Sequence, residues 1–390
     1  MRRSEVSVPE NNLPPELLNG DPDGFAWQVW HERTPRLIER LKDAHPAGPG
    51  SAALDGLLTE IFSGVMEPLG PHAHDRDLWA SWGAAHFGKP WMDAPFLWSE
   101  SYFYRRILDA VGFFESGPAA GADPFGHLKA AELTSGEMAR DLAALEELRR
   151  LPAAESGRAK LLAALWGNRA DLSFRLGHAA SLEERLVADD GDPLWAAFGP
   201  AADVVVVADN AGRELVADLV LIDHLLAHDL AASVTLHLKP HPYYVSDATA
   251  HDLDACLDRL AGAGGEAREV ARRLGRAADT GAFTPEAHDF SCSPWSYRRL
   301  PDDLAARFRA ASVTVMKGDL NYRRLVGDRA WPPGTPFAAA TAYFPGTVAA
   351  LRTLKSDVVV GIAPATLAAL DAASSSWRVD GGHGLLQFRP

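Results

Sequence analysis

The hydrophobic pattern of the chain changes texture near residue 200. Before it, apolar residues recur at spacings of three and four. Met138, Leu142, Leu145 and Leu148 mark one face within 136–151, and a shorter repeat runs over 159–166, so both stretches predict amphipathic helices. After it, short β-branched runs alternate with helical stretches, as in parallel βαβ units. The sharpest run is Asp203-Val204-Val205-Val206-Val207-Ala208. It is too short for a helix and apolar on both faces, which predicts a strand in the middle of a parallel sheet. The run stops at Asp209, and beyond Gly212 the residues Leu215, Val216, Leu219, Ile222, Leu225 and Leu226 fall on one helical face. Further strands are predicted at 233–238, 312–316 and 357–362, with helical material to about 278 after the second strand.

These elements predict an α/β fold: a Rossmann-like, mostly parallel sheet flanked by helices, with an α-helical N-terminal domain. A length of 390 residues exceeds one ordinary core. The expected division is a loose N-terminal arm over 1–22, a helical domain over 23–195 and an α/β metal-binding catalytic domain over 196–390. The arm is expected on the surface because it is rich in proline and asparagine and lacks periodicity. The Gly-, Pro- and Ala-rich stretch 117–126 reads as a loop between helices.

Charge narrows the partners. Against 52 Asp+Glu stand 38 Lys+Arg, a formal charge of −14, which argues against a nucleic-acid binder or a protein resident on an anionic membrane. No apolar run reaches the length of a transmembrane helix, and the two arginines near the start have no apolar stretch behind them, so a cytoplasmic protein is expected. Cys256 and Cys292 give neither a disulfide framework nor a zinc site.

The chemistry gathers where predicted strands give way to loops. Asp209 and Asn210 sit on a strand-to-helix turn, where an open α/β sheet binds ligands and the free amides of a helix start favour an anion. Asp247 follows the next strand. Three oxygen donors of this kind suit Mg²⁺ or Mn²⁺ completed by water and phosphate, although an aspartate before a helix is equally a common cap. Asp319, Asn321, Arg323 and Lys355 form a second polar group, with Arg and Lys suited to a phosphomonoester and Gly318 open to close backbone approach. A solvated surface run is the competing reading there.

Other clusters are weaker. His72, His74, Asp75 and Asp77 lie in a proline-rich, charged stretch that reads as a solvent-facing loop. His237 and His241 lack a helical spacing. Asp21-Pro22-Asp23-Gly24-Phe25 spells a haloacid-dehalogenase motif without the apolar strand that motif needs. The aromatic residues of 91–104 are expected in packing.

Six motifs together resemble one family. Ala94-Pro95-Phe96-Leu97-Trp98-Ser99-Glu100-Ser101-Tyr102-Phe103-Tyr104-Arg105-Arg106, Trp166-Gly167-Asn168-Arg169-Ala170-Asp171-Leu172-Ser173, Val207 to Gly212, Tyr244 to Asp247, Lys317 to Arg323 and Arg352 to Lys355 occur in family order. The chain thereby resembles the damage-control phosphatases, in the subfamily related to acidic-residue methyltransferase proteins, over about residues 25 to 365. The resemblance implies a divalent-metal-dependent phosphatase (Mn²⁺ or Mg²⁺, with Co²⁺ or Ni²⁺ as alternatives) acting on sugar phosphates such as fructose 1-phosphate and fructose 6-phosphate. It makes Asp209, Asn210 and Asp247 the metal ligands and catalytic set. It makes Glu100, Arg105, Asn168, Asp319, Asn321, Arg323 and Lys355 substrate contacts. Arg213 departs from the family, which usually has an apolar or aromatic residue there.

Three other readings stay open: a carboxyl methyltransferase using S-adenosylmethionine, a phosphatase on a specialised biosynthetic intermediate, and a non-catalytic sugar-phosphate binding protein. The first lacks a Gly-x-Gly loop after the valine strand. The last would not need both Asp209 and Asp247.

Overall fold

The computed structural model describes residues 12–44, 49–117, 119–167 and 183–390. Its centre is a seven-stranded sheet: β1 (Leu186–Asp189), β2 (Asp203–Val207), β3 (Ser233–Leu238), β4 (Phe283–Ala287), β5 (Val313–Lys317), β6 (Val348–Thr353) and β7 (Gly384–Arg389), in spatial order β1-β7-β6-β5-β2-β3-β4. Every pairing is parallel except β6 with β7. The chain runs outward from β2 through β3 to β4, then returns to β5 on the other side of β2. The strand order therefore reverses between β2 and β5. In an open α/β sheet a ligand crevice opens at the carboxyl ends of such a pair.

The valine run of β2 shows why the strand is central. Val204 and Val206 belong to the core on one sheet face, Val205 and Val207 to the core on the other, as a strand period of two requires. On the first face pack α4 (Gly136–Leu148), α5 (Ala153–Trp166), α6 (Arg213–Ala227), α7 (Ala250–Ala263) and α8 (Gly265–Asp279). On the second lie α9 (Asp302–Ala310) and α10 (Gly318–Val326). A third core, built around Trp30, Trp79, Trp91, Trp98 and Tyr102, joins α1 (Thr34–Ala44), α2 (Pro49–Ser63 in chain order) and α3 (Phe96–Ala110) in the N-terminal part. These aromatic residues pack edge to face and stacked, in keeping with their expected role.

Several boundaries differ from the sequence expectation. The helices α4 and α5 share the sheet's core, and β1 lies inside the stretch assigned to the helical domain, so the α/β unit draws on chain well before residue 196. The described part of the N-terminal arm is pinned: Leu17 N–H donates to Asp328 O (3.1 Å), and buried Asn19 donates to Trp91 O (2.6 Å) and Ser99 Oγ (2.8 Å). Within the run 357–362 Val358, Val359, Val360 and Ile362 are buried, but the run forms no strand. Tyr322 OH accepts from Val360 N–H (3.1 Å), Gln387 Nε2 donates to Val360 O (2.6 Å), and Arg352 donates to Val358 O, so side chains and turns satisfy its backbone. The ladder position goes instead to Val348–Thr353, whose alanines gave a weak strand signal. Neither β4 nor β7 was predicted.

Candidate active site

The turn after β2 and the loop after β3 are laced together by backbone hydrogen bonds. Ala211 N–H donates to Ser246 O (2.7 Å), Ala248 N–H to Asp209 O (2.9 Å) and Lys239 N–H to Ala248 O (2.9 Å). This folds the loop back over the end of β2 and sets Asn210 opposite Asp247. Both aspartates reach the floor of a cavity of about 470 Å³, which is also lined by Asn210, Glu100, Asp319, Arg323 and Lys355.

Asp209 is 6% and Asp247 2% exposed. Burial pushes Asp209 well above the usual carboxylate range, and Glu214 and Asp247 add to the shift. Burial also raises Asp247, against the pull of Lys239 and Lys129. Asp247 Oδ2 makes no hydrogen bond, and Lys239 Nζ stands 3.6 Å from it. Asn210 Nδ2 donates to Asp209 Oδ2 (2.8 Å) and Glu214 Oε2 (3.0 Å), while its Oδ1 accepts from Ser246 Oγ. Behind them Lys317 pairs with Glu214 (3.2 Å) and Asp218 (2.9 Å), and burial with Glu214 nearby pushes Asp218 up to about 7.

Two buried carboxylates at a cavity floor, with Asp247 adding to the rise of Asp209 and its Oδ2 making no hydrogen bond, fit a divalent cation. Among the described residues no group of three or more His, Cys, Asp or Glu side chains is placed to hold a metal. The donor set is thus two carboxylates and an amide, which fits a hard cation that keeps water and phosphate as its other ligands better than an all-protein cage.

The second polar group divides. Lys355 follows β6 by two residues and lines the cavity, with no ion pair among the described residues. Asp319 also lines it, and its Oδ1 accepts from Arg352 Nε (2.8 Å), Lys355 N–H (3.2 Å) and Ser356 Oγ (3.1 Å). Burial acts to raise Asp319, but Arg352 and Arg323 beside it hold its carboxyl below the usual range. Its carboxylate orders the Lys355 loop. Arg323 is tied to Asp328 (2.8 and 2.9 Å) and Glu100 (2.8 Å), and Tyr244 OH also donates to Glu100 (3.1 Å).

Two predicted contacts lie elsewhere. Arg105 Nε and Nη2 donate to the two carboxylate oxygens of Asp75 (2.8 and 2.7 Å), with Phe114 against its guanidinium, and it does not line the cavity. It sits on α3 five positions beyond Glu100, so the two side chains leave the helix on different faces. Asn321 is fully buried. Its Nδ2 donates to Ala208 O (3.0 Å) and Lys317 O (2.9 Å) and its Oδ1 accepts from Tyr297 OH, joining the ends of β2 and β5 behind the cavity. Asn168 lies outside the described residues, as does the rest of its motif through Ser173.

The helix start after β2 also differs from expectation. Glu132, on the Gly126–Leu133 helix, packs against that terminus so closely that a Cβ at Gly212 would fall 2.1 Å from its Oε2, so a protein carboxylate already meets the helix start. The Arg213 guanidinium turns away to Asp141 (2.6 Å). Sequence reasoning missed Lys239, Glu214, Tyr244 and three cavity-lining arginines, Arg33, Arg36 and Arg40. The signals were present: Lys239 directly follows β3, Glu214 is four positions after Asn210, and the arginines are spaced by three and four.

The fold has a solved counterpart. The crystal structure of a DUF89 family protein from Pyrococcus horikoshii superposes with a TM-score of 0.50 over 91% of this chain and 96% of that one, at 17% identity, a likeness of fold. The model of the damage-control phosphatase ARMT1-like domain matches residues 29–370, and the chain belongs to that family. Relatives include the damage-control phosphatase ARMT1 of Rattus norvegicus, 30% identical over 96% of this chain and 98% of that protein. The Homo sapiens protein of the same name is 29% identical over the same shares. The Mus musculus one is 31% identical over 77% and 76%.

Proposed function

We propose that this protein is a divalent-metal-dependent phosphatase that hydrolyses phosphomonoesters of small sugars; the printed name of its relatives supports the phosphatase part of that reading. The observation that carries the reading is the side-by-side placement of Asp209 and Asp247, from two different strand ends, in a cavity that also holds Lys355, a cation with no ion pair among the described residues. Asp209, Asp247 and the second lone pair of Asn210 Oδ1 would hold the metal, Mg²⁺ or Mn²⁺ by their oxygen chemistry, with Co²⁺ and Ni²⁺ as alternatives. When bound, such a metal neutralises phosphoryl charge and lowers the pKa of water.

The remaining work falls to the chain. Lys355 meets the phosphoryl oxygens as a point charge. Asp319 fixes the loop that carries it. Glu100, held by Arg323 and Tyr244, offers a carboxylate oxygen to sugar hydroxyls. Burial raises Glu100 while Arg323 opposes the shift. Phe25, Trp30, Phe103 and Tyr104 form an apolar wall from the N-terminal part that limits water in the cavity.

Metabolite repair is the role that the relatives' printed name favours. The methyltransferase reading gains no support, because β2 ends in Ala208-Asp209-Asn210-Ala211-Gly212 instead of a glycine-rich turn, and Glu132 meets the helix start. A phosphate-release screen over sugar phosphates, with Mg²⁺, Mn²⁺, Co²⁺ and Ni²⁺ added separately, tests the proposal. Release that needs a metal and disappears on chelation is expected; no release with any metal overturns it.

A further inference from the structure

The cavity carries more positive charge than its floor requires. Glu100 is matched by Arg323 and Asp319 by Arg352. Asp209 and Asp247 have Lys355 and Lys239 close enough to lower their pKa values. Arg33, Arg36 and Arg40 are additional. They line the same cavity, are exposed, and form no ion pair among the described residues. In a chain of formal charge −14, three unpaired cations on one cavity wall need an explanation.

The helix builds that wall by its period. Trp30, Thr34, Ile38 and Leu41 are buried, with Trp30 and Thr34 also reaching the cavity, and Val29, Arg33, Arg36, Leu37 and Arg40 line it beside them. The acidic residues of the same stretch, Glu32 and Glu39, are absent from the lining, and Glu39 pairs with Lys42 (3.2 Å). Arg33 is held with its guanidinium carbon 5.0 Å from the centre of the Phe25 ring. Seven residues of helix span about 10 Å, more than one phosphate group can bridge. Leu37, Phe103 and Tyr104 in the lining form an apolar wall beside these arginines.

From this placement we infer that Arg33, Arg36 and Arg40 form a second anion subsite. The preferred substrates are then phosphomonoesters whose organic part ends in another anionic group, a carboxylate or a second phosphate. The inference rests on the phosphatase reading for the scissile end only. A cavity of about 470 Å³ has room for an extended ligand of that kind. Exposed arginines bind such a group reversibly and with strong dependence on salt.

The test compares two probes that differ at one end, glucitol 6-phosphate and 6-phosphogluconate, whose terminal CH₂OH and carboxylate are the only difference. Rates are measured with the best metal, and binding to the metal-free protein is measured by calorimetry. At low salt the carboxylate probe is expected to exceed the other by about tenfold in kcat/KM and in affinity, the scale of one charge-assisted contact. The ratio should fall towards one in Arg36→Gln/Arg40→Gln and in high salt, and largely return in Arg36→Lys/Arg40→Lys. All three positions are on the protein surface, so folding is checked by melting temperature. A ratio at or below one in the unmodified protein, or a ratio the Gln pair leaves unchanged, overturns the subsite. If no probe is hydrolysed with any metal while calorimetry still gives an arginine-dependent ratio, the phosphatase reading fails and the subsite stands.

Discussion

Gly318 lies against Asp209 so closely that a Cβ at position 318 would fall 1.9 Å from Asp209 Oδ2. Gly318 has φ +78°, in the left-handed region, so the backbone also favours glycine there. The end of β5 therefore sets where the carboxylate at the end of β2 can stand. Replacing Gly318 by Ala is expected to push that carboxylate aside and to lower kcat by roughly 10²-fold, the scale of a misplaced reacting group. The backbone would add a cost of about 1–2 kcal/mol. Steady-state kinetics beside a thermal melt separate the two effects; wild-type kcat in a folded Gly318→Ala protein would show that Asp209 needs no such fixing.

Asp247 should reveal the metal through stability as well as rate. Asp247→Asn removes a buried carboxylate whose charge adds to the rise of Asp209, and that relief offsets the loss of its pairing with Lys239 (3.6 Å), so the metal-free variant is expected to melt close to the wild type. Added Mn²⁺ should raise the melting temperature of the wild type and leave the variant unmoved, because only a bound ligand stabilises the folded state. The variant's kcat should fall by about 10² or more. Equal Mn²⁺ shifts in both proteins would remove Asp247 from the ligand set.

The site was legible in the sequence wherever a residue directly ended a strand. The valine run fixed β2 and hence Asp209, and 233–238 matched β3 residue for residue. What the sequence could not convey was direction. Glu100 and Arg105 lie on one helix, yet Glu100 enters the cavity and pairs with Arg323, over two hundred positions later, while Arg105 turns to Asp75. Asn321 carries a ligand-like side chain in a motif, but its partners are main-chain carbonyls that only the folded sheet brings near. Strands failed where alternatives existed: Val358, Val359 and Val360 look more like a strand than Ala349 and Ala350, and the ladder went to the alanines because side chains bind the backbone of the valines. The arginine wall was missed because only the folded chain brings this helix, well over a hundred positions before Asp209, to the same cavity.

Lys355 is the cation of the floor without an ion pair among the described residues. Lys355→Met keeps the stem and removes the charge. A charge-assisted bond to phosphate is worth about 1.5–3 kcal/mol, so kcat/KM should drop by roughly ten- to a hundredfold for every phosphomonoester, whatever its other end. The substrate-independence of the loss is the measurement that matters: a loss confined to substrates with a second anion would move Lys355 to the rim subsite.

Arg105 should behave as a structural residue. Its guanidinium is 2% exposed and bidentate on Asp75, so Arg105→Ala leaves that carboxylate half-buried without its cation. Breaking a pair of this kind costs about 3 kcal/mol. The melting temperature should fall by several degrees with kcat/KM for the best substrate retained. A raised KM at unchanged stability would return Arg105 to the substrate.

Stability should also fall on the acid side through two buried histidines that do not line the cavity. His224 is 1% exposed, its Nε2 has no hydrogen-bond partner, and Lys160 Nζ lies 3.2 Å from its Nδ1. Burial, with Lys160 and His228 adding like charge, lowers its pKa to about 3. His237 is lowered to about 4 by burial, with Arg307 and His288 adding to the shift, although Glu286 Oε2 stands 3.6 Å away. In the unfolded chain both titrate near 6.5. Between those values the unfolded state binds more protons, so stability is fully present above about 6.5 and is lost as pH falls through the window towards 4 and 3. Each histidine contributes a slope of about 1.4 kcal/mol per pH unit inside the window. Melting curves from pH 7 to 5 should therefore shift downward, and His224→Gln, which cannot take up the proton, should show a shallower dependence whatever its absolute melting temperature. A variant with the wild-type slope would mean that His224 is already protonated in the folded protein, and that Lys160 does not bear on it as the geometry requires.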